Sequence, residues 1–381
     1  MAVASAFSLT EDFIAGLDGL LFEVCEELQL APARHEQAVE RYETLGALLE
    51  SEGSPFYLLR PKIYPQGSMA LGTTVKPADP EEPYDLDFVL ELSLAHDRVD
   101  PMKLIGCLYQ FLKGHAVYGP MTWQKKRCVR IEYANNFYLD ILPACRNSTG
   151  VGTCIKVPDR ARLGWSDSNP KGYISWFEEK SRAVFVGRAF DKAEPIPPQE
   201  AVAEKKPLPL AVQLFKRWRD LHYADDLTLA PISIVLTTLA AHSYRGERSL
   251  SRAMTSILGG IVLRIDSARA QGRRLQVLNP SNPAENLSER WDENQRAYSA
   301  FESGIRDFHR RWSQVVARVG NVNSELEGLF CEPVKTVLVK RAKRFQEART
   351  AGRSGVTTAG RIVSAAAATV PMRQNTFYGA K

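Results

Sequence analysis

The segment Tyr84–Leu92, YDLDFVLEL, constrains the fold more than any other stretch of the chain. Side chains alternate along a strand, so Asp85 and Asp87 share one face while Leu86 and Phe88 take the other. The run Phe88-Val89-Leu90 asks for a buried strand, yet two acids stand at its head. A third acid, Asp140, has a similar setting in Tyr138-Leu139-Asp140-Ile141-Leu142. If the two strands are neighbours, three carboxylates converge. Two unit charges about 5 Å apart repel by roughly 3 kcal/mol at an effective dielectric near 20. Three such pairs approach roughly 10 kcal/mol, the size of a whole domain's stability. Such a cluster must hold cations, protonate, or not form. Carboxylate oxygens suit a hard ion such as Mg²⁺, and two such ions suit an in-line displacement at phosphorus.

A D-x-D strand alone is also compatible with a strand end and an unrelated surface acid. The preceding Gly67-Ser68 makes the combination rarer. Glycine permits close backbone approach, and adjacent N–H groups with a Ser hydroxyl hold phosphate oxygens.

Around this centre the pattern is α+β and then helical. Residues 10–30 and 33–52 read as amphipathic helices, with Leu17, Leu20, Leu21, Val24 and Leu28 at helical spacing. Asp100-Pro101 caps a helix to about Lys113. Arg127–Ala144 reads as two strands around Asn135-Asn136. A two-residue turn would set Arg130 and Glu132 on the face of Leu139 and Ile141. A loop one residue longer sets Val129 and Ile131 there and keeps one clean apolar face, and is preferred. One short helix is expected near Tyr173–Ala189, and residues 193–209 look like a linker. From Leu210 onward helical patterns replace alternation. The expected division is 1–200, a core with N-terminal helices; 201–349, a helical lobe; and 350–381, a flexible tail.

Composition narrows the setting. The chain has 381 residues, of which 44% are hydrophobic, enough for a real core. No apolar run approaches the roughly 20 residues of a membrane span, and the N-terminus lacks a signal-peptide pattern, so a cytoplasmic protein is expected. Six cysteines form no C-x-x-C pair and no zinc spacing. A net charge of +5 does not by itself indicate nucleic acid. The basic stretch 335–353 reads first as a solvated helix face, and nucleic acid as a partner stays open.

The Gly-Ser pair, the D-x-D strand and the later Asp form the pattern of the polymerase-β-like nucleotidyltransferases. Within them, PQGSMALGTTVKP, YDLDFVLEL, FYLDILPA, LPLAVQLFKRWRD, APISIVLTTLAA and NPSNPAENLSERW resemble the cGAS/DncV-like nucleotidyltransferases, or CD-NTases. These stretches span residues 65 to 291. The resemblance implies a two-lobed fold, a mixed sheet with flanking helices and a C-terminal helical lobe closing the cleft. It implies template-independent synthesis of a cyclic di- or trinucleotide second messenger from NTPs, ATP among them, in anti-phage (CBASS-type) signalling. The alternatives are a linear oligonucleotide or RNA-tailing transferase of the oligoadenylate-synthase kind, and a non-catalytic nucleotide-binding relative. By the same resemblance Asp85, Asp87 and Asp140 would hold two Mg²⁺, with Mn²⁺ as substitute. Gly67 and Ser68 would grip the triphosphate, Lys216 would reach it from the helical lobe, and Ser233 would make a second contact. Read from residues alone, Lys216 lies roughly opposite the Leu210-Leu214-Trp218 stripe and meets the cleft if its helix lines it. Tyr173 and Tyr223 are candidates to stack a base, and NPSNPAENLSERW would support the cleft. The zinc-bound insertion of the metazoan DNA sensor has no counterpart here. The tail, ending NTFYGAK, would suit a regulator of the HORMA or ubiquitin-transfer type.

Overall fold

The computed structural model describes residues 2–79, 82–133, 137–148, 152–181, 196–197 and 199–351, with the strand backbones 354–356, 362–364 and 370–371; side chains are described from residue 11 to 351. Two helices lead, α1 (Ala2–Leu28) and α2 (Pro32–Glu50). Then come β1 (Lys62–Gln66), a single helical turn α3 (Gly67–Ala70), β2 (Tyr84–Ala95) and α4 (Pro101–Lys113). Asp100 caps α4 by accepting from the N–H groups of Met102 and Lys103, as its place before Pro101 predicts. Five strands follow: β3 (Thr122–Gln124), β4 (Val129–Tyr133), β5 (Phe137–Arg146), β6 (Ile155–Asp159) and β7 (Gly164–Ser168).

The seven strands form one sheet in the order β1-β2-β5-β4-β3, with β6 joined to β5 and β7 to β6. Only β2 and β5 run parallel within it; the other pairs are antiparallel. The crossover from β2 to β5 carries α4. The β4–β5 register sets Val129 opposite Ile141 and Ile131 opposite Leu139, as the longer loop requires. Residues 134–136, with Asn135-Asn136, lie outside the described residues. All four apolar side chains are buried in the core under α2 and α4.

The helical part begins with α5 (Pro170–Lys180) and continues through α6 (Pro207–His222), α7 (Ser233–Ser243) and α8 (Leu250–Ala270). A small hairpin, β8 (Leu278–Asn279) with β9 (Asn282–Asn286), precedes α9 (Glu289–Glu293), α10 (Gln295–Ala317), α11 (Val322–Phe330) and α12 (Glu332–Thr350). Three short strands, β10 (Ser354–Val356), β11 (Ile362–Ser364) and β12 (Val370–Pro371), pair antiparallel beyond it.

Two expectations are corrected. The helix placed near Tyr173–Ala189 starts at Pro170, because Asn169 caps it by accepting from the Gly172 N–H; residues 182–195 lie outside the described residues. The described part of the expected linker is packed rather than free. Ile196 and Val202 are buried, and Lys205 is 7% exposed with its ammonium on Gln29 Oε1 and the Gly72 carbonyl. Its Pro-rich, charged composition suggested exposure, but two acceptors from distant segments hold the lysine against the fold. Within the expected tail, the described backbone pairs at β10–β12; residues 372–381, with Phe377 and Tyr378, lie outside the described residues. α1 shares its core with α6, α8 and α12 through Leu17, Leu21, Val24 and Leu28.

The basic run on α12 faces α1. Lys340 pairs with Glu27, and Arg341 and Arg344 with Glu23. Those cations serve helix packing. Among the described residues no helix is long and apolar enough to cross a membrane. All six cysteines are free, and burial pushes the Cys25 thiol up to about 12.

Candidate functional site

The parallel pairing of β2 with β5 sets Asp87 directly beside Asp140, and Asp85 beside Tyr138. Neighbouring strands lie about 4.8 Å apart, so the three acids share one face at one end of the sheet. Asp87 lies deepest. Burial, then Asp140, then Asp85 push its carboxyl up to about 7. That is the electrostatic strain the sequence foretold, read as a proton held more tightly.

The strain is relieved by a residue that the sequence reading did not single out. Arg130 lies opposite Asp140 on β4. Its Nε and Nη2 donate to Asp140 Oδ1 and Oδ2, each at 2.7 Å, and Nη2 also donates to Asp85 Oδ1 at 3.0 Å. The guanidinium also lies 4.3 Å from the Tyr138 ring centroid, a cation–π contact. The signal was present: once the longer β4–β5 loop is chosen, alternation in Val129-Arg130-Ile131 places Arg130 on the acids' face. Among the described residues no group of three or more His, Cys, Asp or Glu is set to hold a metal as the side chains now stand. Arg130 spans the oxygens that would face it.

Gly67 takes φ +60°, and a Cβ there would lie 2.6 Å from Asp87 Oδ2. So the glycine is required twice, for its left-handed backbone and for its missing side chain. A Gly67→Ala variant is expected to push Asp87 out of line with Asp140. Its turnover should fall at least about tenfold, and its stability by roughly 1–2 kcal/mol; pyrophosphate release and a thermal melt check both. Ser68 follows on α3, its hydroxyl accepting from Thr74 Oγ1 at 3.2 Å.

The helical part grips the loop after α3 through its carbonyls. Lys205 donates to Gly72 O, Lys216 to Thr73 O at 3.0 Å, Gln213 to Thr74 O at 2.8 Å, and Arg217 to Lys76 O at 2.9 Å. This explains why LFKRWRD is basic although its helix is buried nearly all round. Arg217 is not on a solvated face; it clamps the loop. Lys216 is 7% exposed and borders the cleft. Burial pulls its ammonium down to about 8, with Asp220 and Asp87 opposing. Ser233, at the start of α7, borders the same cleft and accepts from Arg219 Nη1 at 3.4 Å.

The cleft so formed encloses about 360 Å³. Gly67, Ser68, Asp85, Asp87, Lys216 and Ser233 all line it; Asp140 stands behind Arg130 beside Asp87. Tyr173 lines it too, its hydroxyl shared with Thr238 at 2.8 Å. Tyr223 does not: it is buried in the helical core and donates to Ala300 O. In the 279–291 stretch, Asn286 holds the turn by accepting from Ser288 N and Oγ. The cleft-lining residues there are Asn279 and Glu285, on β8 and β9. Neither was foreseen, because a polar hairpin in a sequence does not disclose which carboxylate turns inward. Between the lobes, Arg127 donates to Asp159 Oδ2 at 2.7 Å and to Glu289 Oε1 at 2.8 Å, tying β6 to α9.

Comparison with known proteins points the same way. The profile of the Second Messenger Oligonucleotide or Dinucleotide Synthetase domain matches residues 20–181. The chain is 30% identical over 380 residues to a c-di-GMP synthase of Roseivirga ehrenbergii, covering 97% of this chain and 99% of that one. It is 30% identical to the cyclic dinucleotide synthase CdnG of Bradyrhizobium diazoefficiens, covering 95% and 94%. The solved CdnG of Bradyrhizobium diazoefficiens, in complex with GTP, superposes with a TM-score of 0.71 at 28% identity, over 86% of this chain and 99% of that one. CdnC of E. coli MS115-1, solved with HORMA, shares the fold at a TM-score of 0.58 and 14% identity, over 81% and 94%. With a mixed sheet that joins its acids on paired strands and a helical lobe that grips the loop following Gly67-Ser68, the chain belongs to the CD-NTase family of nucleotidyltransferases.

Proposed function

We propose that the cleft joins nucleoside triphosphates into a cyclic dinucleotide, with GTP as a substrate. One observation carries the reading: Asp87 and Asp140 are register partners, and Gly67 leaves Asp87 just enough room on the cleft side. The names of the relatives, synthases of c-di-GMP and of cyclic dinucleotides, support the choice of product. In this reading the amides after Gly67 and the Ser68 hydroxyl take triphosphate oxygens. Lys216 supplies a buried positive charge from the other lobe, and Ser233 a second contact. A ribose hydroxyl forms a bond to the α-phosphorus while the bond to pyrophosphate breaks. A second transfer closes the ring.

The donor set of Asp85, Asp87 and Asp140 fits divalent cations, two Mg²⁺ with Mn²⁺ as substitute. Oxygen donors and surplus negative charge are what such ions need, and the group supplies charge stabilisation at the transferring phosphate when bound. Arg130 now fills that role for Asp85 and Asp140. Removing it should therefore favour cation entry. Arg130→Gln is expected to bind Mn²⁺ about tenfold more tightly than the native protein without nucleotide, measured by calorimetry. It should also lose roughly 2 kcal/mol of stability when stripped of metal. Equal or weaker Mn²⁺ binding would remove Arg130 from that role.

The test of the function is product analysis. Purified protein with GTP, ATP or both and Mg²⁺ should release pyrophosphate and leave a phosphatase-resistant species of cyclic dinucleotide mass. A phosphatase-sensitive ladder would replace this reading with linear synthesis. The same proposal sets the messenger in anti-phage signalling, with a HORMA- or ubiquitin-transfer-type regulator at the C-terminus. The solved CdnC–HORMA assembly supports the first kind of partner.

A further inference from the structure

The far end of the cleft has a chemistry of its own. It lies against β6 and β7, where Lys156 pairs with Asp167 and Val157 with Ser166. There the cleft is walled by Leu142, Val157 and Ile174, with Asp167, Ser168, Asn279 and Glu285 among its polar lining. Glu285 reaches in from β9. One of its oxygens accepts from Asn279 Nδ2 at 2.7 Å, and the other has only a long contact, 3.5 Å, to the Ser168 hydroxyl. Asp167, the neighbouring acid, is bound to Lys156 at 2.8 Å. Arg127, the cation lining this end, is committed to Asp159 and Glu289. Glu285 is thus a carboxylate fixed by Asn279 with acceptor capacity left over, beside a cation whose guanidinium is committed elsewhere. Burial raises its carboxyl above the ordinary value, with Asn279 opposing. A ligand that brings hydrogen-bond donors would compensate that burial.

We propose that Glu285 reads the donor edge of guanine, making it a specificity-determining residue for GTP. A carboxylate accepts only. Guanine presents two adjacent donors on its pairing edge, the ring N1–H and the exocyclic N2 amine, which match the two oxygens of one carboxylate. Adenine offers a donor beside a ring nitrogen acceptor, which a carboxylate repels. Uracil offers one donor flanked by carbonyls. A site built to satisfy a particular donor rejects the analogue lacking it far more strongly than an apolar pocket rejects a change of size. The inference rests on the nucleotide reading of the cleft and deepens it.

Inosine triphosphate separates guanine reading from general damage, since it differs from GTP only by the missing N2 amine. Calorimetry with α,β-non-hydrolysable analogues of GTP, ITP and ATP is the experiment. The native protein should bind the GTP analogue about tenfold or more tightly than the ITP analogue. In Glu285→Gln that difference should vanish, with GTP affinity down at least about tenfold and ATP affinity changed less than about threefold. Glu285→Asp keeps the charge but withdraws it, and should fall between the two. If either variant melts like the native protein and keeps the native GTP-to-ITP ratio, Glu285 does not read guanine. Product formation by the native protein is followed in parallel. A Glu285-dependent guanine preference without cyclic product would overturn the proposed synthesis alone. Cyclic product with an unaltered preference would overturn the guanine reading alone.

Discussion

Asp85→Asn combined with Asp87→Asn should reduce cyclic product and pyrophosphate release by at least about 10³-fold, because charge stabilisation at the transferring phosphate is worth several kcal/mol. The informative half of the experiment is stability. Most substitutions that abolish activity at buried positions also loosen the fold. Here the reverse is expected. Asp87 is held beside Asp140 against burial and like charge, and its carboxyl is raised to about 7. In an unfolded chain the same carboxyl titrates near its ordinary value. Native stability from this group is therefore greatest at acid pH and falls as pH rises from about 4 toward 7. At pH 8 the native protein carries that cost and the neutral amide does not. The double variant should melt no lower than the native protein at pH 8, and its advantage should shrink at pH 5. Retained activity would remove the acids from the chemistry. A large drop in melting temperature at pH 8 would mean that they hold the fold together.

The second large effect belongs to Lys216. Replacing it with methionine keeps most of the buried stem and removes the ammonium. The Michaelis constant for the NTP should rise roughly 10- to 100-fold, the value of one charge-assisted contact to a phosphate. Acidity gives a sharper test. Burial lowers the Lys216 ammonium to about 8, so the free protein carries the charge below that pH and sheds it above. Triphosphate affinity should be full below pH 8 and weaken above it, by up to about tenfold per pH unit. Lys216→Arg keeps its charge throughout and should lack the alkaline limb. Lys216→Met should lack it as well, at uniformly weak affinity. An alkaline limb that persists in Lys216→Met would assign the titration to another group.

The parts of this molecule legible in its sequence are those with short-range logic. Alternation in YDLDFVLEL fixed the faces of Asp85 and Asp87. A single clean apolar face was enough to choose the β4–β5 register. Asp100 before Pro101 marked its helix start. Interactions between elements distant in sequence were harder to see. Arg130 could have been found by carrying the register argument one step further, from apolar faces to the polar one. Glu285 could not, because its inward orientation depends on a hairpin laid against β7 from 117 residues away. Arg217 stood without a role in the basic run LFKRWRD, whereas its partners are carbonyls of a loop 140 and 141 residues earlier. Backbone acceptors carry no sequence signature, so the cation looked unpartnered.

The docking of α1 onto α12 governs the order in which the protein can be made. Glu27 and Lys340 are 313 residues apart, and ribosomes add roughly 5–20 residues per second. α1 therefore emerges on the order of 15 to 60 s before α12 completes its seat, with α6 and α8 covering part of the Leu17, Leu21 and Val24 stripe sooner. Severing the chain near residue 200 would leave that apolar stripe bare in one fragment and its groove empty in the other. The two halves should therefore be insoluble apart and recoverable only when produced together.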